Sequence, residues 1–197
     1  MELQYGSPVA NCNQGESSKS STIPVLPPPA RLNLIDELTR GMRDDGVVFT
    51  SSATSVAPGD DTGNRQSKVF MGFEVPTFPE SADFEEVVLK ISQNSPTGVP
   101  FGLGAVKLFH INTEVVGIAS FSSALSDIGD FSIDETPGPR SADVRAEFLA
   151  DLANRTVRGD RTQFRLEFPT PTNSDNIRDQ VRFSRASIAM TVTYVAK

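Results

Sequence analysis

One histidine, His110, and one cysteine, Cys12, are the side chains of this chain with neutral-pH proton-transfer or thiol chemistry of their own. His110 sits in AVKLFHI (105–111) beside Phe109, with no cysteine to activate and no serine in a nucleophile-elbow context. It reads as a structural histidine, and one His with one Cys cannot build the usual zinc sites. Carboxylates are the richer supply. They gather in GDD (59–61), SDIGD (126–130) and SIDE (132–135). Clustered oxygens suit Ca²⁺, so Asp60, Asp61, Asp127 and Asp130 are the candidate ligands of a structural calcium. None of these runs has EF-hand spacing, and as solvated loops they need no ion. No other cofactor is expected. Arg178, Arg182 and Arg185 crowd around one late loop and are candidate contacts for an acidic polysaccharide. Sugar platforms otherwise stack on exposed Trp or Tyr. The chain has no Trp, and Tyr5 and Tyr194 fall in a tail and in the last strand. Arg158-Gly159-Asp160 is an RGD triplet where a helix-to-strand turn is needed anyway. Asn154-Arg155-Thr156 is a glycosylation sequon at a helix end.

The elements that must position these groups are mostly strands. In KVFMGFEVPTFPESADFEEVVLKIS (68–92), Val69, Met71, Phe73 and Val75 alternate with Lys68, Phe70, Gly72 and Glu74. Val87, Leu89 and Ile91 alternate in the same way further on. A period of two predicts two strands, each with one wet face, broken by Pro76 and Pro79. VVFTSSATSV (47–56), AVKLFHI (105–111), VVGIASF (115–121), TQFRLEF (162–168) and ASIAMTVTYV (186–195) read as further strands, with a short one at DFSID. His110 shares one strand face with Val106 and Leu108, opposite Lys107. Phe73, Leu89, Leu166 and Ile188 are expected to be almost fully buried. DVRAEFLADLANR (143–155) reads as a helix that Asp143 caps, with Val144, Phe148, Leu149 and Leu152 as its buried stripe.

The front of the chain differs. Residues 1–31 are Ser-rich and then Pro-rich, and Pro27-Pro28-Pro29 predicts a stiff polyproline stretch. NLIDELTRGMR (33–43) predicts a short amphipathic helix whose face is Leu34, Ile35, Leu38 and Met42, free to pack on its own domain or to dock on a partner. The expected division is an arm (1–31), the helix (32–43) and a β domain (44–197). The arm and helix are expected to add little to the stability of the β domain and much to assembly.

Bulk composition narrows the function classes. The 197 residues suit one domain with a tail, and thirteen Phe against two Tyr favour core over ligand platform. A net charge of −7 argues against nucleic acid and anionic membranes as partners. No apolar run approaches a membrane span, and the first residues lack the basic start and apolar core of a signal peptide. Strand count, long loops and one or two short helices predict an all-β, jelly-roll-like antiparallel sandwich with an extended N-terminal arm.

The order of pieces resembles the DNRLRE-type β-sandwich module, a relative of carbohydrate-binding modules on bacterial surface and secreted proteins. GNRQSKVFMGFEVPTFPESADFEEVVLKI stands where that family has a strand of the type LRFDLSSLP followed by an A-x-L-x-L strand. VRAEFLADLANR stands where it has a short helix, and SIAMTVTYVA resembles its closing strand. The resemblance spans about residues 45–197. The DVT triplet of the family is absent, and Glu74 stands where Asp is usual. It implies a non-catalytic role in binding, adhesion or display. The leading expectation is therefore a structural protein on a larger assembly, such as a virion, surface layer or filament. Its expected partners are other protein subunits, further copies of itself among them. The alternative is a carbohydrate-binding or adhesive module. An extracellular surface or a virion is the favoured location.

Overall fold

Alternating apolar residues do build two sheets. The computed structural model describes residues 28–49 and 54–196. In chain order the elements are β1 (Ala30–Arg31), a 3-10 turn at Asp36–Leu38, β2 (Arg40–Arg43), β3 (Val48–Phe49), β4 (Ser55–Val56), β5 (Gly59–Asp60), β6 (Gln66–Glu74) and β7 (Ala82–Gln93). There follow a 3-10 turn at Pro100–Leu103, β8 (Val106–Ile111), α1 (Ile118–Ser122), β9 (Ser126–Ser132), β10 (Gly138–Asp143), α2 (Arg145–Ala153) and α3 (Arg155–Arg158). The chain closes with β11 (Arg161–Glu167), β12 (Phe183–Ser184), a 3-10 turn at Arg185–Ser187 and β13 (Ala189–Ala196).

One sheet runs β1-β13-β7-β12-β4, with β10 also on β7; the other runs β3-β2-β6-β11-β8-β9, with β5 also on β6. Every pairing is antiparallel. The chain changes sheet from β6 to β7, β7 to β8, β9 to β10, β10 to β11 and β11 to β12, which is the winding of a jelly-roll-like sandwich.

The inward faces are those the alternation implies. Phe73, Leu89, Leu166 and Ile188 are all buried in one core with Val69, Met71, Val87, Phe164, Met190 and Val192. At one end Phe148 of α2 meets Phe78 and Phe84 edge-to-face at 5.9 and 5.6 Å, and Tyr194 meets Phe78 at 5.3 Å. Phe84 and Val87, three residues apart, both point inward. The register slips there, from Thr193 opposite Glu86 to Tyr194 opposite Phe84, so Glu85 is the extra residue of a bulge. Asp143 accepts from the Arg145 N–H at 2.9 Å at the start of α2, and Val144 and Phe148 are fully buried.

Four expectations need correction. First, β6 has no wet face: Ser67, Lys68, Phe70 and Gly72 are buried as well. A second small core of Leu38, Met42, Phe70, Ile111 and Val116 covers that side. Gly72 lets the cover approach, since a Cβ there would lie 2.7 Å from Leu38 Cβ. Second, residues 33–43 form no helix. Ile35 N–H donates to Gly72 O at 2.8 Å, Glu74 N–H to Asn33 O at 2.9 Å, and β2 pairs with β6 from Arg40 to Arg43. A short helix is marginal alone, and the β6 edge offers every one of those bonds. Third, residues 115–121 hold α1 rather than a strand. The last-turn carbonyls of α1 are taken by buried cations: Lys68 Nζ reaches Phe121 O at 2.9 Å and Arg165 Nη1 reaches Ser120 O at 3.0 Å. Fourth, the folded unit does not start at Asp44. β1 pairs with β13 in one sheet and β2 with β6 in the other; Leu32 is buried in the core between the sheets, and Leu38 and Met42 in the second small core over β6. The expected arm otherwise lies outside the described residues.

Candidate functional site

His110 is held by the sheet and the helix that cross it. It projects from β8 into the core, its ring centroid 5.8 Å from that of Phe164. Its Nε2 lies 2.8 Å from Asp151 Oδ2 on α2, and Asp151 Oδ1 lies 3.0 Å from Arg158 Nε on α3. The His110 and Asp151 side chains are 5% and 1% exposed. A His–Asp pair can relay protons, but this one opens on no solvent. Its chemistry is that of a buried tie between sheet and helix. The same ion pair engages the arginine of the RGD triplet. The Arg158 guanidinium is bound inward, and Asp160 is bonded to Arg155 at 2.7 Å.

The four candidate calcium ligands do not form one set. Asp60 is fully buried and accepts from the Asp179 N–H at 3.1 Å. Asp61 pairs with Arg65 at 2.8 Å and Arg43 at 3.1 Å. Asp127 and Asp130 both lean on Lys107, each at 3.4 Å. Guanidinium and ammonium groups thus pair with Asp61, Asp127 and Asp130, while Asp60 Oδ2 is buried with no hydrogen-bond partner among the described residues. Among the described residues no group of three or more His, Cys, Asp or Glu is placed to hold a metal ion.

The Arg43–Asp45–Arg65–Asp61 network sets an acid response. The hydrogen bond from Arg43 holds the Asp45 carboxyl down at about 2, against an ordinary value of 3.8. Burial pushes Asp61 up, but hydrogen bonds from Arg65 and from the Gly63 and Arg65 N–H groups outweigh it, and its pKa also falls. A carboxylate with a depressed folded-state pKa lends stability that is present above its unfolded value and lost as pH falls through the folded one. The urea midpoint of the protein should therefore drop between about pH 4 and about pH 2. Asp45→Asn should start lower at neutral pH and drop less across that window. Parallel curves for the two proteins would count against a role for Asp45.

A second polar layer lies under α1. Arg165, 2% exposed, and Lys68 converge on Glu167 at 2.7 and 2.8 Å. Burial pulls the Lys68 and Arg165 pKa values down, and Glu167 partly restores them. Every group here already has a partner within the chain, so the layer fastens α1 to the sheet.

Of the three late arginines, the fold brings two together. Arg178 and Arg185 line a cavity of about 270 Å³ between the edges of the two sheets, while Arg182 is exposed elsewhere. Arg40, Arg43, Phe49, Val56 and Ala57 complete most of its wall. Sequence reasoning missed Arg40 and Phe49, because it placed one on a helix and left the other in an ordinary strand. The proposed assembly face is not a free surface: Leu38 and Met42 are buried, and Leu34 and Ile35 are half-buried. No protein-family model matches the sequence, and no curated protein matches it. Fold and site together define an all-β sandwich whose one histidine is buried against Asp151.

Proposed function

We propose that the protein is a non-catalytic structural subunit, a β-sandwich displayed on a larger assembly such as a virion, surface layer or filament. It is attached through the residues that precede Pro28. The observation that supports this most is the root of that segment. Residues 30–43 strap the two sheets together, β1 on β13 and β2 on β6, with Leu34 bridged to Phe73 between them. A pull on the chain before Pro28 therefore loads two hydrogen-bond ladders instead of peeling one strand. The register that puts Ala30 opposite Val192 would put Pro29 and Pro28 opposite Thr193 and Tyr194. Proline has no N–H to donate, so pairing ends there and the chain departs.

The far edge favours the same reading. β9 carries two register shifts and the charged Asp127 and Asp130, which discourage edge-to-edge pairing and leave assembly to the N-terminal segment. The resemblance to DNRLRE-type modules points to display or adhesion as well. A carbohydrate-binding or adhesive module is the second reading, favoured by the meeting of Arg178 and Arg185 in one recess.

Sedimentation of the full chain and of a chain lacking residues 1–27 tests the proposal. The full chain should form oligomers or particles at concentrations where the shortened one stays monomeric. A full chain that is monomeric at every concentration, or a shortened chain that assembles equally well, would overturn it.

A further inference from the structure

The cavity between the sheet edges holds more positive charge than the described residues neutralise. Its wall carries Arg40, Arg43, Arg178 and Arg185 against one carboxylate, Asp61. Arg43 is fully engaged, with Asp45 at 2.6 Å and Asp61 at 3.1 Å. Arg185 gives one Nη to Asp36 at 2.7 Å, but its Nε is buried with no hydrogen-bond partner among the described residues. Among those residues the Nε of Arg40 is buried and unpartnered too. Among the described residues, neither Arg40 nor Arg178 makes a salt bridge. Buried donors are seldom left without an acceptor, and a guanidinium is built to take a carboxylate.

The rest of the wall sets Phe49, Val56 and Ala57 beside the uncharged polar Thr39, Ser55 and Gln180. Phe49 lies over Gly41, where an added Cβ would be 3.0 Å from its ring, and Val56 and Ala57 face it from the other sheet. Residues 50–53 are Thr-Ser-Ser-Ala, which carry no acid. We propose that this cavity is a binding site for a compact carboxylate on an apolar body, the carboxylate held by Arg40 and Arg185 and the body set against Phe49 and Val56. At about 270 Å³ it admits a group of roughly the size of one aromatic acid. The proposal does not rest on the assembly role. The carboxylate has two sources, a separate solute or chain and Glu2 or Glu16 of the protein's own first residues.

Titration of the full-length protein with benzoate, read by the NMR signals of the arginine Nε–H groups, tests this. Benzoate should move the Arg40 and Arg185 signals saturably in the millimolar range, and benzyl alcohol, the same body without charge, should not. Arg40→Gln should weaken benzoate binding at least about tenfold. Phe49→Ala should weaken it too, and the unchanged urea midpoint of either variant would show that the fold is intact. If Glu2 or Glu16 is the native occupant, a chain carrying Glu2→Gln and Glu16→Gln should bind benzoate more tightly than wild type. Equal affinity assigns the site to a separate carboxylate. No saturation, equal binding by Arg40→Gln, or binding of glucuronate in place of benzoate would overturn the proposal. The last result would also favour the carbohydrate reading.

Discussion

Removal of residues 1–43 is expected to unfold the protein, whereas removal of residues 1–27 should leave its thermal midpoint within a few degrees. The difference lies in residues 30–43, which belong to both sheets. Leu32 and Leu38 are each 4% exposed and Met42 is fully buried. Burial of such side chains contributes roughly 1.5–3 kcal/mol each, so about 5–9 kcal/mol leaves with the three. A domain of this kind has roughly 5–15 kcal/mol in all. The loss does not end there. Phe70, 1% exposed, would be opened to water, and the β6 edge from Ser67 to Phe70 would lose its partner strand. Thr39, whose hydroxyl accepts the Gly72 N–H at 3.2 Å, would go as well. Circular dichroism during heating and urea titration of the two shortened chains would decide. A chain starting at Asp44 that unfolds cooperatively within a few degrees of the full protein would refute the strap.

The inner face was legible because it depends on period alone. Val69, Met71 and Phe73, or Phe164 and Leu166, alternate so cleanly that only a strand with those residues inward can bury them. The outer face of the second sheet was not legible. Lys68, Arg165 and Glu167 look like a wet face, and they are covered by α1, which the sequence presents as another strand. Nothing local tells Lys68 that Phe121 will lie across it. The error at 33–43 has a different cause. Leu34, Leu38 and Met42 stand four apart, which suits one face of a helix, yet all three also share the parity of one strand face. Period could not separate the two, and the open edge of β6 did.

The buried tie at His110 had a signal that went unread. His110 shares a strand face with the apolar Val106 and Leu108, and Phe148 lies in the apolar stripe of α2. Asp151 stands one turn beyond Phe148 and so falls on that same buried stripe. A carboxylate at such a position requires a partner, and an inward histidine is one. The arginine cavity had half a signal, the crowding of Arg178 and Arg185 around one late loop, and none for Arg40. Arg40, Arg178 and Arg185 meet only because the strap and the last loop lie across the same opening between the sheets.

Asp151→Ala is expected to be among the most damaging single substitutions in the protein. The Asp151 side chain is 1% exposed and serves two partners at once, His110 Nε2 at 2.8 Å and Arg158 Nε at 3.0 Å. Removing it leaves a guanidinium without its counter-ion and a buried imidazole without its hydrogen bond. Loss of the carboxylate leaves the buried imidazole unsatisfied, which costs about 1–3 kcal/mol, and strips Arg158 of its buried counter-ion. Asp151→Asn should cost less, since the amide still offers an oxygen to one partner. Replacing both residues tests whether the tie matters for more than packing. His110→Leu combined with Asp151→Leu removes the buried polar pair and fills the space with apolar side chains. Such replacements are often neutral or stabilising, so the double variant should recover most of what Asp151→Ala loses. Arg158, 18% exposed, can turn its head to water in that variant. Urea unfolding of the three proteins would give the ranking. A loss of less than about 1 kcal/mol for Asp151→Ala would mean the pair is solvated and not a buried tie. The double variant also speaks to function, because it folds without the chain's one histidine. If it assembles as the wild type does, His110 serves the fold alone. If a reaction carried out by the wild type disappears in a double variant that remains folded, His110 is catalytic and the structural reading of the protein fails.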